Sequence, residues 1–175
     1  MIPVELSHGL VLAVFPFLAI LAALTDTFSM TIPNRLTALV ALGFFAVALA
    51  SGMAFSTIGW HVLTGAGMLM VGFLLFGLGW IGGGDAKLAA GAALWLGPVY
   101  VLPFIVLMAL IGGGLSAGML GLRLSPTAEA IGHRVAFFGR LLADDVGIPY
   151  GIAIGSAALI TYSHSFWIAQ LTPGL

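Results

Sequence analysis

Two aspartates stand where charge is expensive. Asp26 closes an apolar run that begins near His8, and Asp85 opens another behind Gly82-Gly83-Gly84. The other four acids are easier to explain. Glu5 precedes the first apolar run, and Glu129, Asp144 and Asp145 fall in a polar stretch where a solvated face accounts for them. Two carboxylates that meet at one site can share a proton. One then acts as general base on a water, and the other as general acid on a scissile carbonyl. Such a pair titrates as a unit and needs neither metal nor cofactor.

The elements that must position these acids are read from composition. The chain is 61% hydrophobic and only 6% charged, with a mean hydropathy of +1.20. A soluble domain carries about 25% charge. This chain lacks the charge to cover a watery surface, so lipid is the expected solvent for most of it. Five basic residues and a net charge of -1 exclude a nucleic-acid footprint. With no cysteine, disulfides, thiolate nucleophiles, cysteine-ligated metals and cysteine lipid anchors are all excluded. The scattered histidines His8, His61 and His133 match no zinc spacing. Met1 to His8 holds no Lys or Arg. The first apolar run is therefore expected to be a retained span rather than a cleavable signal.

A span takes about 20 apolar residues. The pattern predicts an all-α, polytopic membrane protein forming a single domain over 1–175. Six spans are expected at 8–25, 35–55, 60–81, 85–97, 99–122 and 149–170. The fourth is short, and Gly97-Pro98 separates it from the fifth. Arg35, Lys87, Arg123, Arg134 and Arg140 all fall in connections 1–2, 3–4 and 5–6. With six spans these connections share one side, which the positive-inside rule makes cytoplasmic, with both termini outside. Merging 85–122 into one span would split the basic loops between two sides, so the charges favour a break at Gly97-Pro98. In the loop 122–147, Ala128, Ile131, Val135, Phe138 and Leu142 recur at helical spacing around Arg134 and Arg140. This predicts an amphipathic helix on the cytoplasmic membrane surface.

This topology brings the acids to one depth. Asp26 ends a span entering the cytoplasmic side, and Asp85 begins one leaving it. Their surroundings sharpen the reading. Gly82, Gly83 and Gly84 remove side-chain bulk before Asp85, so a backbone can come close, and they permit a bent, partly unwound start to the helix. Lys87 points away from Asp85 on a helix and is expected to contact lipid headgroups or substrate. Pro33 stands where a helix begins, and Asn34 is expected to bond nearby backbone. Gly114 and Gly118 form a GxxxG step, and Gly65, Gly72 and Gly79 recur at sevens. Both patterns are expected to serve helix packing.

These motifs, in this order, resemble the type IV prepilin peptidases, and most closely the short form of tight-adherence (Flp-type) pilus systems. The residues carrying the resemblance are Asp26 followed by Ile32-Pro33-Asn34, then Gly82-Gly83-Gly84-Asp85-Ala86-Lys87-Leu88, then Ile148-Pro149-Tyr150-Gly151-Ile152-Ala153. The resemblance implies that Asp26 and Asp85 are the catalytic aspartates and that Pro149 and Gly151 pack near them. It implies a GxGD aspartic-type endopeptidase of pilus biogenesis in the bacterial cytoplasmic membrane, without cofactor or metal. The implied substrate is a pilin-like precursor with a short basic leader and an apolar helix, cut at the cytoplasmic face. Membrane lipids are the other partner. Long members also N-methylate the new terminus and carry a cysteine-based zinc site. With no cysteine here, methylation is not expected.

Two competing readings are weaker. Gly114-Leu115-Ser116-Ala117-Gly118 matches GxSxG, but Ser116 would need His164 as its base. The predicted spans put the two about 14 Å apart in depth. A small proton- or cation-coupled transporter subunit could use the same carboxylates. Transport sites, however, lie near the bilayer midplane, whereas both acids fall near one face.

Overall fold

The computed structural model describes residues 4–125, 139, 142, 143 and 147–169, with side chains from His8 onward. The predicted surface helix lies outside these residues. What is described is helical: α1 (Val4–Ser29), α2 (Asn34–Ala50), α3 (Phe55–Gly77), α4 (Gly83–Arg123), α5 (Tyr150–Tyr162) and the short α6 (Phe166–Ala169). Four stretches are long and apolar enough to cross a membrane: His8–Ser29, Phe55–Gly77, Gly83–Arg123 and Tyr150–Ala169. Asn34–Ala50 is a shorter apolar helix. The chain is a membrane protein.

The 41 residues of α4 are not one rod. Gly97 sits at φ 70°, ψ -176°, a conformation that L side chains avoid. The next residue, Pro98, has no N–H with which to continue the ladder. The arms on either side fold back, so that Ala86 and Ala89 of the first line the same groove as Met108 and Gly112 of the second. The break therefore falls at the predicted Gly97-Pro98 junction.

The first arm, 83–96, is the centre of the bundle. From Leu88 to Gly97 every residue is buried. Its Ala/Gly-rich sequence lets neighbours approach to backbone distance. A Cβ on Gly72 of α3 would stand 2.9 Å from Ala86 Cβ, and one on Gly65 would stand 2.9 Å from Leu94 Cβ. On the α2 side, a Cβ on Gly91 would stand 2.8 Å from a Val40 methyl. In lipid, where apolar surface gains nothing by leaving the solvent, such close van der Waals packing drives helix association. The outer faces carry the lipid-facing side chains, among them Leu63, Phe73, Leu102 and Leu110.

Breaking α4 at Pro98 frees carbonyls in the core, and side chains cap them. Leu94 O, the acceptor that Pro98 cannot serve, lies 2.8 Å from Nδ1 of His61. Trp95 O accepts from Trp167 Nε1 at 2.7 Å, and Trp95 Nε1 donates to Val40 O at 2.8 Å. Phe44 stacks on His61 with centroids 5.4 Å apart, and Phe15 stacks on Trp95 at 5.0 Å. This aromatic knot ties one end of the bundle.

Glycine roles separate by position. Gly65 and Gly72 pack helices, but Gly79 does not. It takes φ 75° just past Leu78, the C-cap of α3, and Trp80 and Gly79 return hydrogen bonds to Leu75 O and Phe76 O. This is a Schellman ending. Gly114 and Gly118 have nothing within 4 Å of an added Cβ, so within the described residues their GxxxG step packs no helix.

Candidate active site

At the end of the bundle opposite the knot, helix termini converge. α1 and α5 run antiparallel, because Tyr162 Oη donates to Val11 O at 2.9 Å while Gly155 packs on Ala19 and Gly151 on Asp26. This alignment brings the last turn of α1 against the first turn of α5. Asp26 is 6% exposed. Its Oδ2 accepts the backbone N–H of Gly151 at 2.7 Å. The first N–H groups of a helix have no partner within it, so the start of α5 supplies a free donor.

Only glycine fits at 151. A Cβ there would lie 2.6 Å from Asp26 Cβ and 2.9 Å from Oδ2. Pro149, buried and just outside the helix, sets its start, and its carbonyl accepts from Ile152 N at 3.3 Å.

Asp85 sits in the first turn of α4 and bends back on its own N-terminus. Its carboxylate accepts from the Gly82 backbone, with Oδ2 2.7 Å from where a Gly82 Cβ would stand. This is the acidic half of a capping box. Asp85 is close enough to Asp26 to feel its charge. Asp85 also lines a groove of about 300 Å³ between α3, the second arm of α4 and α5.

The glycines before Asp85 serve protein contacts. A Cβ on Gly83 would meet the Phe76 ring at 3.3 Å, and one on Gly84 would meet Ile32 Cβ at 3.1 Å. The start of α4 is not unwound, for it is helical from Gly83. Bulk is absent there because α3 and the α1–α2 connection close on the helix end. Pro33 lies one position earlier than the first helical residue. It is the N-cap of α2, and its carbonyl accepts from Leu36 N at 2.9 Å. Asn34 bonds not to backbone but to Lys87, whose Nζ donates to Asn34 Oδ1 at 2.8 Å. That bond ties the starts of α2 and α4 and borders a second groove, about 460 Å³, between α2 and α3.

The type IV leader peptidase family model matches residues 13–117, more than half of the chain. The chain belongs to the type IV leader peptidase family. The matched span holds both aspartates and the Gly82–Asp85 motif, and it ends before Gly151. Neither the curated proteins nor the solved structures returned a match.

The geometry does not bring Ser116 and His164 together. Ser116 Oγ lies 2.7 Å from Tyr150 Oη and donates to Gly112 O at 2.8 Å. Tyr150 begins α5 and His164 lies beyond its end, about 18 Å of helix away. Sequence reasoning passed over His61 as a scattered histidine. The signal was available, since Pro98 denies Leu94 its helical donor and some side chain has to replace it. Among the described residues no three metal-binding side chains gather.

Proposed function

We propose that this peptidase is an aspartic endopeptidase that removes the basic leader from pilin-like precursors of the Flp type at the cytoplasmic face of a bacterial inner membrane. The observation that carries the reading is the convergence of Asp26 and Asp85 at one end of the bundle. Family membership supports the reaction class. Arg35, Lys87 and Arg123, near the same end, support a cytoplasmic orientation with six spans and both termini outside. The whole chain then acts as one membrane domain.

In the reaction, the ionised aspartate of the pair takes a proton from water as the water oxygen adds to the scissile carbonyl. The protonated partner gives its proton to the carbonyl oxygen, forming a neutral gem-diol. Collapse of the diol breaks the C–N bond. A proton passes to the leaving nitrogen, which becomes the new N-terminus, and the leader departs as a carboxylate. Gly151 holds Asp26 by one oxygen throughout. Cleavage proceeds without N-methylation, for which the chain carries no cysteine site.

The test is co-expression with a pilin-like precursor, following leader removal by gel shift. Asp26→Asn and Asp85→Asn are each expected to abolish processing. Full processing by either variant refutes the dyad.

A further inference from the structure

We propose that the groove beside Asp85 is the subsite for the first apolar residues on the C-terminal side of the scissile bond, and that its free volume sets which side chains are accepted there. This rests on the peptidase reading above. The groove runs along α3 from Leu75 to Met68, about 10 Å of helix, and Asp85 is one of its lining residues. A chain seated in it is therefore continuous with the reacting carboxylate. Its other walls are Ala89, Met108, Gly113 and Ile154. The polar lining side chains are Asp85 and Tyr150, and the Tyr150 hydroxyl is turned to Ser116.

This lining decides which side of the bond enters. A basic leader in this groove would bury positive charge against apolar walls, which is strongly unfavourable. An apolar segment carries no such cost. The groove also descends from the end bearing Lys87 and Arg123 toward the bundle interior, the direction an apolar helix takes into the bilayer.

Gly113 offers a clean probe. Gly113 lines the groove and an added Cβ there has nothing within 4 Å, so a larger side chain has room to enter it. Gly67, on an exposed face of α3 and equally open, is the control. In membranes containing the full chain, Gly113→Leu is expected to lower kcat/KM by about tenfold for a precursor with Leu or Phe just after the cut. A precursor with Ala at those positions should lose little, and Gly67→Leu should leave both unchanged. Equal rates for wild type and Gly113→Leu, or equal losses on both precursors, overturn the subsite. A second measurement does not depend on turnover. Photo-methionine at Met68 and Met108 of the Asp85→Asn protein is expected to crosslink to the first residues after the cut. Crosslinks from these positions to lipid alone overturn the proposal. Processing by unsubstituted-groove Asp85→Asn would instead refute the dyad, which separates the two failures.

Discussion

The N–H of Gly151 and Oδ2 of Asp26 are 2.7 Å apart, and a single methyl group at 151 would occupy the same space as the Asp26 side chain. Gly151→Ala should therefore displace the carboxylate while leaving α5 intact. A displacement of about 1 Å costs roughly a hundredfold in rate. Overpacking costs about 1–3 kcal/mol, partly offset by the better helix propensity of Ala. Processing assays and thermal unfolding in detergent, run together, should show activity falling far more than stability.

If the two carboxylates act as one unit, their losses do not add. Asp26→Ala, Asp85→Ala and the double variant are expected to share the same residual rate. A double variant slower than either single one by the product of their effects would mean that the acids work separately.

The knot makes a different prediction. His61→Leu leaves Leu94 O buried without its donor, which costs about 1–3 kcal/mol. Gly97→Ala should cost more. It forces a side chain to φ 70°, and its Cβ would stand 2.6 Å from the His61 ring. Denaturation of the two variants should rank them in that order. Whatever fraction remains folded should still process precursor, because the knot lies at the other end of the bundle.

Ser116→Ala removes one hydrogen bond to Tyr150 and nothing from the proposed reaction. Processing should stay within about tenfold, since the net value of such a bond is about 0.5–1.5 kcal/mol and it acts only through Tyr150. Complete loss with the protein folded would reopen the serine reading.

Lys87 and Asn34 should be coupled. A double-mutant cycle with Lys87→Met and Asn34→Leu is expected to give about 0.5–1 kcal/mol of interaction in stability. Additive effects would mean that the bond between the starts of α2 and α4 does not hold them.

What could be read from the sequence was whatever depends on a residue and its immediate neighbours. Asp26 and Asp85 stood out because each stands at the boundary of an apolar run, where charge is costly. Gly97-Pro98 stood out because two helix breakers adjoin and the basic loops required a turn. What could not be read depends on distant partners. Lys87 meets Asn34 across 53 positions, and Trp167 meets Trp95 across 72. Gly114 and Gly151 are the same residue type, yet one faces open space and the other holds Asp26 against a helix start. Only the packing of α1 on α5 distinguishes them.

The knot around Trp95 has one more consequence. Tryptophan, histidine and tyrosine side chains lock the helices together at that end through rings and capped carbonyls. At the other end, the described residues hold them by glycine faces, the Gly151 N–H on Asp26 and the Lys87–Asn34 and Ser116–Tyr150 bonds. The first arm of α4 separates the two ends by about 20 Å. A tilt of about 5° at the fastened end opens about 2 Å at the other, as the tips of tongs part when the hinge barely turns. A tilt of that size would make room for an incoming chain without unwinding any helix.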